Sequence, residues 1–389
     1  MAMGSAFPRL QWSFWRLVFL VLTATGAVAL VLRFTRGLGA TTNLSDAFPW
    51  GLWIGFDMLC GIGLAAGAFT ICAVVTIFNL RQYAAIIRPT VLTGLLGYVF
   101  AIVALLVDLG QPQRIWHAMI MWNPRSVMFE VAWCVMLYTT VLALEFSPVV
   151  FEGLRLKWPQ RIIHAVSVPL VIAGVILSTL HQSSLGSLYL IVPDKLHAFW
   201  YSPLLPVFFF VSAVAAGLGM VIVESWLSQR ALRHHLNMAL LEPLARAMVV
   251  LLVVYGILRL QDLLRRGHLL LLREPSHEGL MLLLELGLGV VLPVALLAIP
   301  AIRMRQAGMV TGAFLAVLGF VLNRLNVSIT GMERAAGVQY FPSWAEVAIT
   351  AALVAVGFAA FGLATRYLPV FSDGHAGRPA DLPAWLAAK

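Results

Sequence analysis

Charged residues are scarce in this sequence. Only 11% of its 389 residues are Asp, Glu, Lys or Arg, whereas 61% are hydrophobic and the mean hydropathy is +0.91. Soluble domains contain about 25% charged residues, so the composition excludes a protein that covers itself with charged surface. The net charge of +9 is spread over short loops as single or paired arginines, which is typical of membrane topology and anionic-lipid contact. We therefore predict a membrane protein that binds no nucleic acid.

Cysteine is nearly absent as well. Cys60, Cys72 and Cys134 each lie inside an apolar run, and their positions show no paired spacing. The sequence therefore predicts neither a disulfide framework nor a cysteine-bound iron-sulfur cluster. We interpret all three as packing residues.

Histidine is rare inside the apolar segments. His181 lies in a helix interior, whereas His164 lies at the far end of the same segment and the other histidines fall in loops. A b-type haem between helices needs axial ligands from two helices, so no haem is expected. A phosphate-binding glycine loop, a zinc constellation and a nucleophile elbow are missing too.

Ten apolar stretches are long enough to cross a bilayer as helices, which takes about 20 residues. Ten-residue alternating segments, the pattern of a membrane barrel, do not occur. The sequence thus predicts an all-α polytopic membrane protein. The predicted spans are roughly 13–33, 50–78, 87–108, 126–147, 161–184, 203–227, 243–261, 279–301, 308–325 and 343–367.

Ten spans place both termini on one side of the membrane. That side carries 15 of the 26 Lys and Arg residues and the other side carries 11. This bias predicts that both termini are cytoplasmic. Aromatic residues at the outer ends of the spans are expected to anchor the chain at the interface. They are Trp50, Trp53, Trp116, Trp122, Trp200 and Tyr201.

A weak internal repeat relates spans 2 to 5 to spans 6 to 9. Ala65-Ala66-Gly67 matches Ala215-Ala216-Gly217, and Asp108-Leu109 matches Asp262-Leu263. The pattern predicts two four-helix bundles, although chance similarity between apolar helices is an alternative. The predicted domains are 1–48 with the first helix, 49–200 with the first bundle, 201–330 with the second bundle, and 331–389 with the last helix and a tail.

Ionisable side chains occur at similar depths in four neighbouring spans. Asp57 and Glu130 lie inside spans 2 and 4, His181 lies near the outer end of span 5, and Asp108 ends span 3. Tyr98, at the midplane of span 3, could form the floor of this layer. A charge in hydrocarbon costs about 2.5 to 3.5 kcal/mol on insertion scales, so such groups usually face a partner, a ligand or a wet cavity. Together they could exchange the protons of two-electron chemistry.

Each of these residues also has a structural interpretation. Asp108 could simply end a helix, His181 could be a hydrogen-bonded packing residue, and Tyr98 could fill a gap. Asp57 and Glu130 could be hydrogen-bonded acids that lock helices together.

Further acids lie near the other ends of the spans. Glu145 and Glu224 approach the cytoplasmic ends of spans 4 and 6, where they either begin a proton route or extend to the interface. In the second bundle, Glu285 and Arg324 are predicted to form a structural ion pair.

Several segments resemble the integral membrane subunit of polysulfide-reductase-type complexes, the NrfD-like family. The matching segments are WGLWIGFDMLCGIGLAAGAF at 50–69, DLGQPQRIW at 108–116, WNPRSVMFE at 122–130 and HQSSLGSLYLI at 181–191. Within the family, residues 181–220 are most similar to the HybB-type membrane subunit of periplasm-facing nickel-iron hydrogenases.

The resemblance implies a quinone site in the outer half of the first bundle, beneath a bound iron-sulfur subunit. On this sequence the site would contain Tyr98 and His181 as hydrogen-bond partners of a menaquinone or ubiquinone, and Glu130 and Asp57 as proton-exchanging acids. Asp108 and Arg114 would lie at its mouth, and Glu224 in the second bundle would contribute to proton passage. Some members are labelled cytochrome b, but haem ligands are lacking here.

The resemblance also implies partners. They are a periplasmic ferredoxin-like iron-sulfur subunit and a catalytic subunit, either a nickel-iron hydrogenase or a molybdopterin enzyme. The predicted function is that of the quinone-reactive membrane subunit of a hydrogen:quinone oxidoreductase, which would not be active alone.

Three alternatives remain at this stage. One is a quinol-oxidising subunit of a polysulfide or thiosulfate-type reductase. Another is a secondary transporter, for which repeated bundles and buried charges are typical, although the polar layer here is shallow. The third is a purely structural anchor.

Overall fold

Every regular element in the described part of the chain, residues 13–232 and 238–371 of the computed structural model, is a helix. The α-helices are α1 (Phe14–Arg36), α2 (Leu38–Thr41), α3 (Leu59–Ile77), α4 (Ala84–Asp108), α5 (His117–Ile120), α6 (Val127–Gly153), α7 (Lys157–Ala165), α8 (Ser167–Leu190), α9 (Leu205–Leu232), α10 (Met238–Arg265), α11 (His277–Leu286), α12 (Leu292–Ala298), α13 (Pro300–Arg303), α14 (Gln306–Leu325), α15 (Gly331–Ala336) and α16 (Trp344–Tyr367). Three π-helices, Trp53–Met58, Gly287–Val291 and Asn326–Thr330, continue directly into or out of α-helices.

Ten helical segments within the described residues are long and apolar enough to cross a membrane. The prediction of an all-α polytopic membrane protein is therefore confirmed.

Four predicted spans differ from the observed spans by five residues or more at an end. The predicted span 126–147 continues to Gly153, and the predicted span 243–261 begins at Met238. The predicted span 161–184 begins instead at Ser167 and ends at Leu190, because the polar segment Lys157–Ala165 forms a separate helix with no buried residue. The predicted span 308–325 continues through a π-helix to Ala336.

Consecutive spans alternate in direction, so α1 begins at the membrane face where α16 ends. We call this the terminal face and the other the opposite face. At the terminal face, Arg88 donates hydrogen bonds to Glu152 at 2.9 Å and to the carbonyl oxygen of Pro369 at 2.8 Å. At the opposite face, Ser343 Oγ donates to the carbonyl oxygen of Thr41 at 2.7 Å. Four of the basic residues counted for topology, Arg9, Arg233, Arg378 and Lys389, lie outside the described residues.

The ten spans pack as two groups of helices that meet mainly at α9. In the first group α3 packs against α4 and α8, and α6 packs against α4 and α8. In the second group α9 packs against α10 and α14, and α12 packs against α10 and α14 as well. Helices α3 and α8 of the first group both pack on α9 of the second, while α1 and α16 pack on each other outside α4.

The contact between α3 and α9 involves glycines from both halves of the predicted repeat. A Cβ atom added to Gly67 would overlap the carbonyl oxygen of Ala213, and one added to Gly217 would overlap the backbone of Gly67. Small residues let membrane helices approach in this way. The Ala-Ala-Gly motifs therefore face each other where α3 meets α9.

Two of the predicted interfacial aromatics are core residues instead. Trp53 and Trp200 are 1% and 0% exposed. Their indole N–H groups donate to the carbonyl oxygen of Glu346 at 3.3 Å and to Glu285 at 2.8 Å, respectively. The prediction was wrong because position at a helix end cannot distinguish an aromatic facing lipid from one facing another helix. The three cysteines are buried, which agrees with their interpretation as packing residues.

A buried polar network holds the second group together around Glu285. The carboxylate accepts hydrogen bonds at 2.8 Å from Trp200, Asn323 and Asn326. Arg324 donates to the Asn323 side-chain oxygen at 2.6 Å. The predicted ion pair was wrong, because Asn323 bonds to both charged groups and no Glu285–Arg324 contact is among the ion pairs of the described residues. Such a network satisfies both charges without direct contact.

Candidate functional site

A hydrogen bond between two helices of the first group links Tyr98 on α4 to His181 on α8. The Tyr98 hydroxyl lies 2.8 Å from His181 Nδ1, and both side chains are fully buried. Tyr98 lies ten residues before the end of α4, and His181 nine residues before the end of α8. At 1.5 Å per residue both lie roughly 14 Å from the opposite face. His181 is therefore deeper than predicted, because α8 extends to Leu190.

Aromatic side chains surround this pair, and several polar atoms beside it have no protein partner. The Tyr138 ring lies edge-on to Tyr98 with ring centroids 4.7 Å apart, and Phe69 packs on Tyr138 at 5.6 Å. Among the described residues, His181 Nε2, the Tyr138 hydroxyl and both polar atoms of the Gln182 amide are buried without a hydrogen-bond partner. A buried polar atom without a partner is costly, so these positions are candidates for contact with a ligand or water.

Glu130 is close to this pair but exposed, which differs from the predicted buried acid. Because α6 begins at Val127, Glu130 lies in its first turn, where the helix dipole stabilises a carboxylate. Its Oε1 accepts a hydrogen bond from Ser184 Oγ at 2.5 Å. Ser184 is one turn from His181 on α8, so an exposed acid is linked to a residue on the same helix face as the buried histidine.

Asp57 bonds to α16 and not to the layer with Glu130 and His181 that the sequence predicted. It lies in the π-helix before α3, and its Oδ2 accepts a hydrogen bond from Thr350 Oγ1 on α16 at 2.5 Å. Sequence analysis overlooked Thr350, because nothing in the spacing of α16 distinguishes it from a packing residue.

Asp108 and Arg114 lie near the opposite face. Asp108 ends α4 within electrostatic range of Arg33 and Glu346. Arg33 donates to the carbonyl oxygens of Val107 at 2.8 Å and of Leu109 at 2.7 Å. Arg114 is exposed in the loop that follows. The expected set is thus divided between Tyr98, His181 and Glu130 on one side of α4, and Asp57 and Asp108 toward α1 and α16.

Sequence analysis also overlooked a buried acid at the start of α16. Glu346 is 0% exposed and accepts hydrogen bonds from the Tyr340 hydroxyl and from the backbone N–H groups of Ser343 and Asn43. Burial and the hydrogen bond to Glu346 raise the pKa of the Tyr340 phenol above its ordinary value. The pattern Ser343-x-x-Glu346 is a capping box that the sequence does contain.

A second set of polar groups lies between the Tyr98–His181 pair and the terminal face. Glu224 is buried and accepts a hydrogen bond from Thr93 Oγ1 at 2.8 Å. Glu145 has a buried carboxylate oxygen without a partner among the described residues. Both carboxylates lie within electrostatic range of Cys72, and Tyr138 lies within range of Glu145 and Tyr98.

One face of α6 carries much of this arrangement. Glu130, Cys134, Tyr138 and Glu145 are spaced by four, four and seven residues, which places them on the same side of a helix. This spacing was available in the sequence, and it would have identified Tyr138.

Two cavities lie elsewhere in the protein. A small one of about 20 Å³ borders Ser212, Tyr255 and Glu285 in the second group, which is room for one water molecule. The other opens between α9 and α14 at the terminal face. No cluster of three or more His, Cys, Asp or Glu side chains that could hold a metal ion occurs in the part of the chain that the structure describes.

Comparison with known proteins identifies relatives over most of the chain. The profile of the family described as "Polysulphide reductase, NrfD" matches residues 40–336. A protein of Nitratidesulfovibrio vulgaris (strain Hildenborough) is 38% identical over 366 residues, covering 91% of this chain and 93% of its own. The probable Ni/Fe-hydrogenase 2 b-type cytochrome subunit of Escherichia coli (strain K12) is 33% identical over 349 residues, covering 88% of each chain. The menaquinone reductase integral membrane subunit of N. vulgaris is 29% identical over 385 residues, covering 92% of this chain and 91% of its own.

Proposed function

The chain belongs to the NrfD family, and on that premise we propose that it is the quinone-reactive membrane subunit of a respiratory oxidoreductase. It would pass electrons between an iron-sulfur subunit at the opposite face and a quinone beside His181. The buried Tyr98–His181 hydrogen bond carries this proposal. The names of the E. coli hydrogenase subunit and the menaquinone reductase subunit favour hydrogen as electron donor and menaquinone as acceptor.

The donor set around His181 suits a quinone. A bound quinone supplies a carrier of two electrons and two protons whose carbonyl oxygens accept hydrogen bonds. When the Tyr98 hydroxyl donates to Nδ1, a neutral His181 ring carries its proton on Nε2. That N–H, which has no partner among the described residues, can donate to a carbonyl oxygen. The Gln182 amide beside it offers a second donor.

A short proton route leads from His181 to the opposite face. Ser184 lies one turn from His181 and donates to Glu130, which is exposed. His181 can release its Nε2 proton to the bound quinone while Tyr98 keeps its hydroxyl proton. Glu130 exchanges protons with the aqueous side directly and would replace the His181 proton through Ser184 and intervening water.

A second route runs toward the terminal face. Glu145 and Glu224 are acids near Cys72, and Tyr138 lies between them and Tyr98. If this side is cytoplasmic, as the arginine distribution predicts, protons taken up here and electrons supplied at the opposite face would charge the membrane. Protons taken up instead through Ser184 and Glu130 would come from the same side as the electrons, and turnover would be electroneutral.

The opposite face also offers a docking surface for an iron-sulfur partner. Trp116 and Trp122 are 50% and 63% exposed in the loop between α4 and α6, with Arg114 beside them. Trp133 Nε1 donates to the carbonyl oxygen of Ala118 at 3.0 Å, which holds this loop against α6. Asp57 and Asp108 remain proposed members of the site, on its α16 side.

Quinone binding tests the proposed function directly. We expect the protein, purified with its partners, to bind a menaquinone analogue at one saturable site per chain, because one His181–Tyr98 pair is present. Native mass spectrometry with menaquinone and ubiquinone analogues measures the stoichiometry. Binding that never saturates, as for partition into detergent, would contradict the proposal.

The two proton routes make different predictions. We expect Glu130→Gln to slow quinone turnover about tenfold, because the acid bonded to Ser184, one turn from His181, loses its exchangeable proton. Glu224→Gln should leave turnover within about twofold, because Glu224 bonds to Thr93 and, within the described residues, to neither member of the Tyr98–His181 pair. Steady-state quinone reduction measures both variants. The reverse ranking would assign proton delivery to the terminal face.

A further inference from the structure

The larger cavity is a groove between α9 and α14 that opens at the terminal face. Its volume is about 850 Å³. Helix α9 contributes Val223, Trp226 and Arg230 to its wall, and α14 contributes Gln306 and Phe314. None of these residues belongs to the proposed quinone site.

The groove is polar at the membrane surface and apolar deeper in. At its mouth Gln306 Nε2 donates to Gln229 Oε1 at 2.7 Å. Phe314 lies eight residues further along α14, roughly 12 Å deeper at 1.5 Å per residue, and Val223 lies at the corresponding end of the α9 wall. This order of polar and apolar walls matches a molecule with a polar head and a hydrocarbon tail.

The mouth of the groove is electropositive. The Arg230 guanidinium is exposed and stacks over Trp226, 5.0 Å from the ring centroid, and it forms no ion pair among the described residues. The 20-residue helix α14 begins here at Gln306, without an acidic residue in its first turn and without a side-chain cap. Its free N–H groups and dipole add to the attraction of an anion.

We propose that this groove binds an anionic phospholipid of the leaflet at the terminal face. The phosphate would accept hydrogen bonds from Arg230 and from the first turn of α14, and one acyl chain would lie along Val223 and Phe314. A free phosphate would leave the apolar half of the groove uncovered. A lipid accounts for both halves, because α9 and α14 are membrane spans.

Retention of lipid by the purified protein tests this assignment. In native mass spectrometry with phosphatidylglycerol added, we expect about one tightly held lipid per chain. Arg230→Gln should weaken retention about tenfold, because a charge-assisted hydrogen bond is lost. Arg161→Gln is the matched control, since Arg161 is another exposed arginine on a helix at the terminal face, and it should change nothing.

Two further experiments locate the bound lipid in the groove. Phosphatidylglycerol with brominated acyl chains should quench a tryptophan signal that Trp226→Phe removes. Thr311→Trp, which fills the groove from α14, should abolish retention without affecting expression. Equal retention of phosphatidylcholine, an unaltered Arg230→Gln variant, or competition by inorganic phosphate alone would each overturn the proposal, as would a co-purifying protein cross-linked to the groove.

Discussion

His181→Ala is expected to lower quinone turnover by about 100-fold or more while the complex still assembles. The loss follows because His181 is the buried group that would both bind the quinone carbonyl and transfer its proton, and acid–base catalysis of this kind contributes about 10² to 10⁴. Tyr98→Phe should give a smaller loss, since the imidazole remains but its Nδ1 partner is removed. Turnover of the purified complex with a soluble quinone, normalised to intact complex, measures both effects.

His164→Ala is the control for this experiment. His164 lies on α7 outside the spans, so its loss should leave turnover unchanged. Full turnover by an assembled His181→Ala complex would contradict the redox site and favour a purely structural anchor. Counterflow of a labelled solute by the chain in liposomes would instead favour a secondary transporter.

Gly67→Ala is expected to cost about 3 kcal/mol or more of stability, at the upper end of what overpacking a tight contact costs. The added methyl group would overlap the carbonyl oxygen of Ala213, and backbone cannot move aside as a flexible side chain can. Gly217→Ala should have a similar effect, because its methyl group would overlap Gly67 from the other side. The detergent-solubilised protein is heated to a series of temperatures, and size-exclusion chromatography with fluorescence detection then measures the fraction that remains folded. The melting temperature of each variant reports its loss of stability.

Gly362→Ala provides a matched glycine in another membrane helix. It lies in α16, and a Cβ atom there would meet nothing within 4 Å. The substitution should therefore be neutral or stabilising by about 0.5 to 1 kcal/mol, as expected for Gly to Ala inside a helix. If Gly67→Ala were tolerated as well as Gly362→Ala, α3 and α9 would not be in close contact.

Part of the candidate site could be predicted because it depends on position along single helices. Tyr98 and His181 were both assigned from their depth in apolar spans, and the structure joins them by a hydrogen bond. The face of α6 that carries Glu130, Tyr138 and Glu145 follows from spacing alone. The capping box at Ser343 and Glu346 is equally local.

Other features required knowledge of where helices begin and which way they face. Glu130 is exposed because α6 starts only three residues before it. Asp57 bonds to Thr350, nearly three hundred residues away in sequence. Glu285 and Arg324 are connected through Asn323, an arrangement that residue types do not distinguish from a direct ion pair.

The sequence by itself determined the membrane class and the number and approximate positions of the ten spans. Those properties depend on hydrophobic length and on rise per residue, which are local. Only the tertiary structure decided the partner of each acid and the lipid-facing groove, because the rotation of a helix about its axis is set by packing against neighbours distant in the chain.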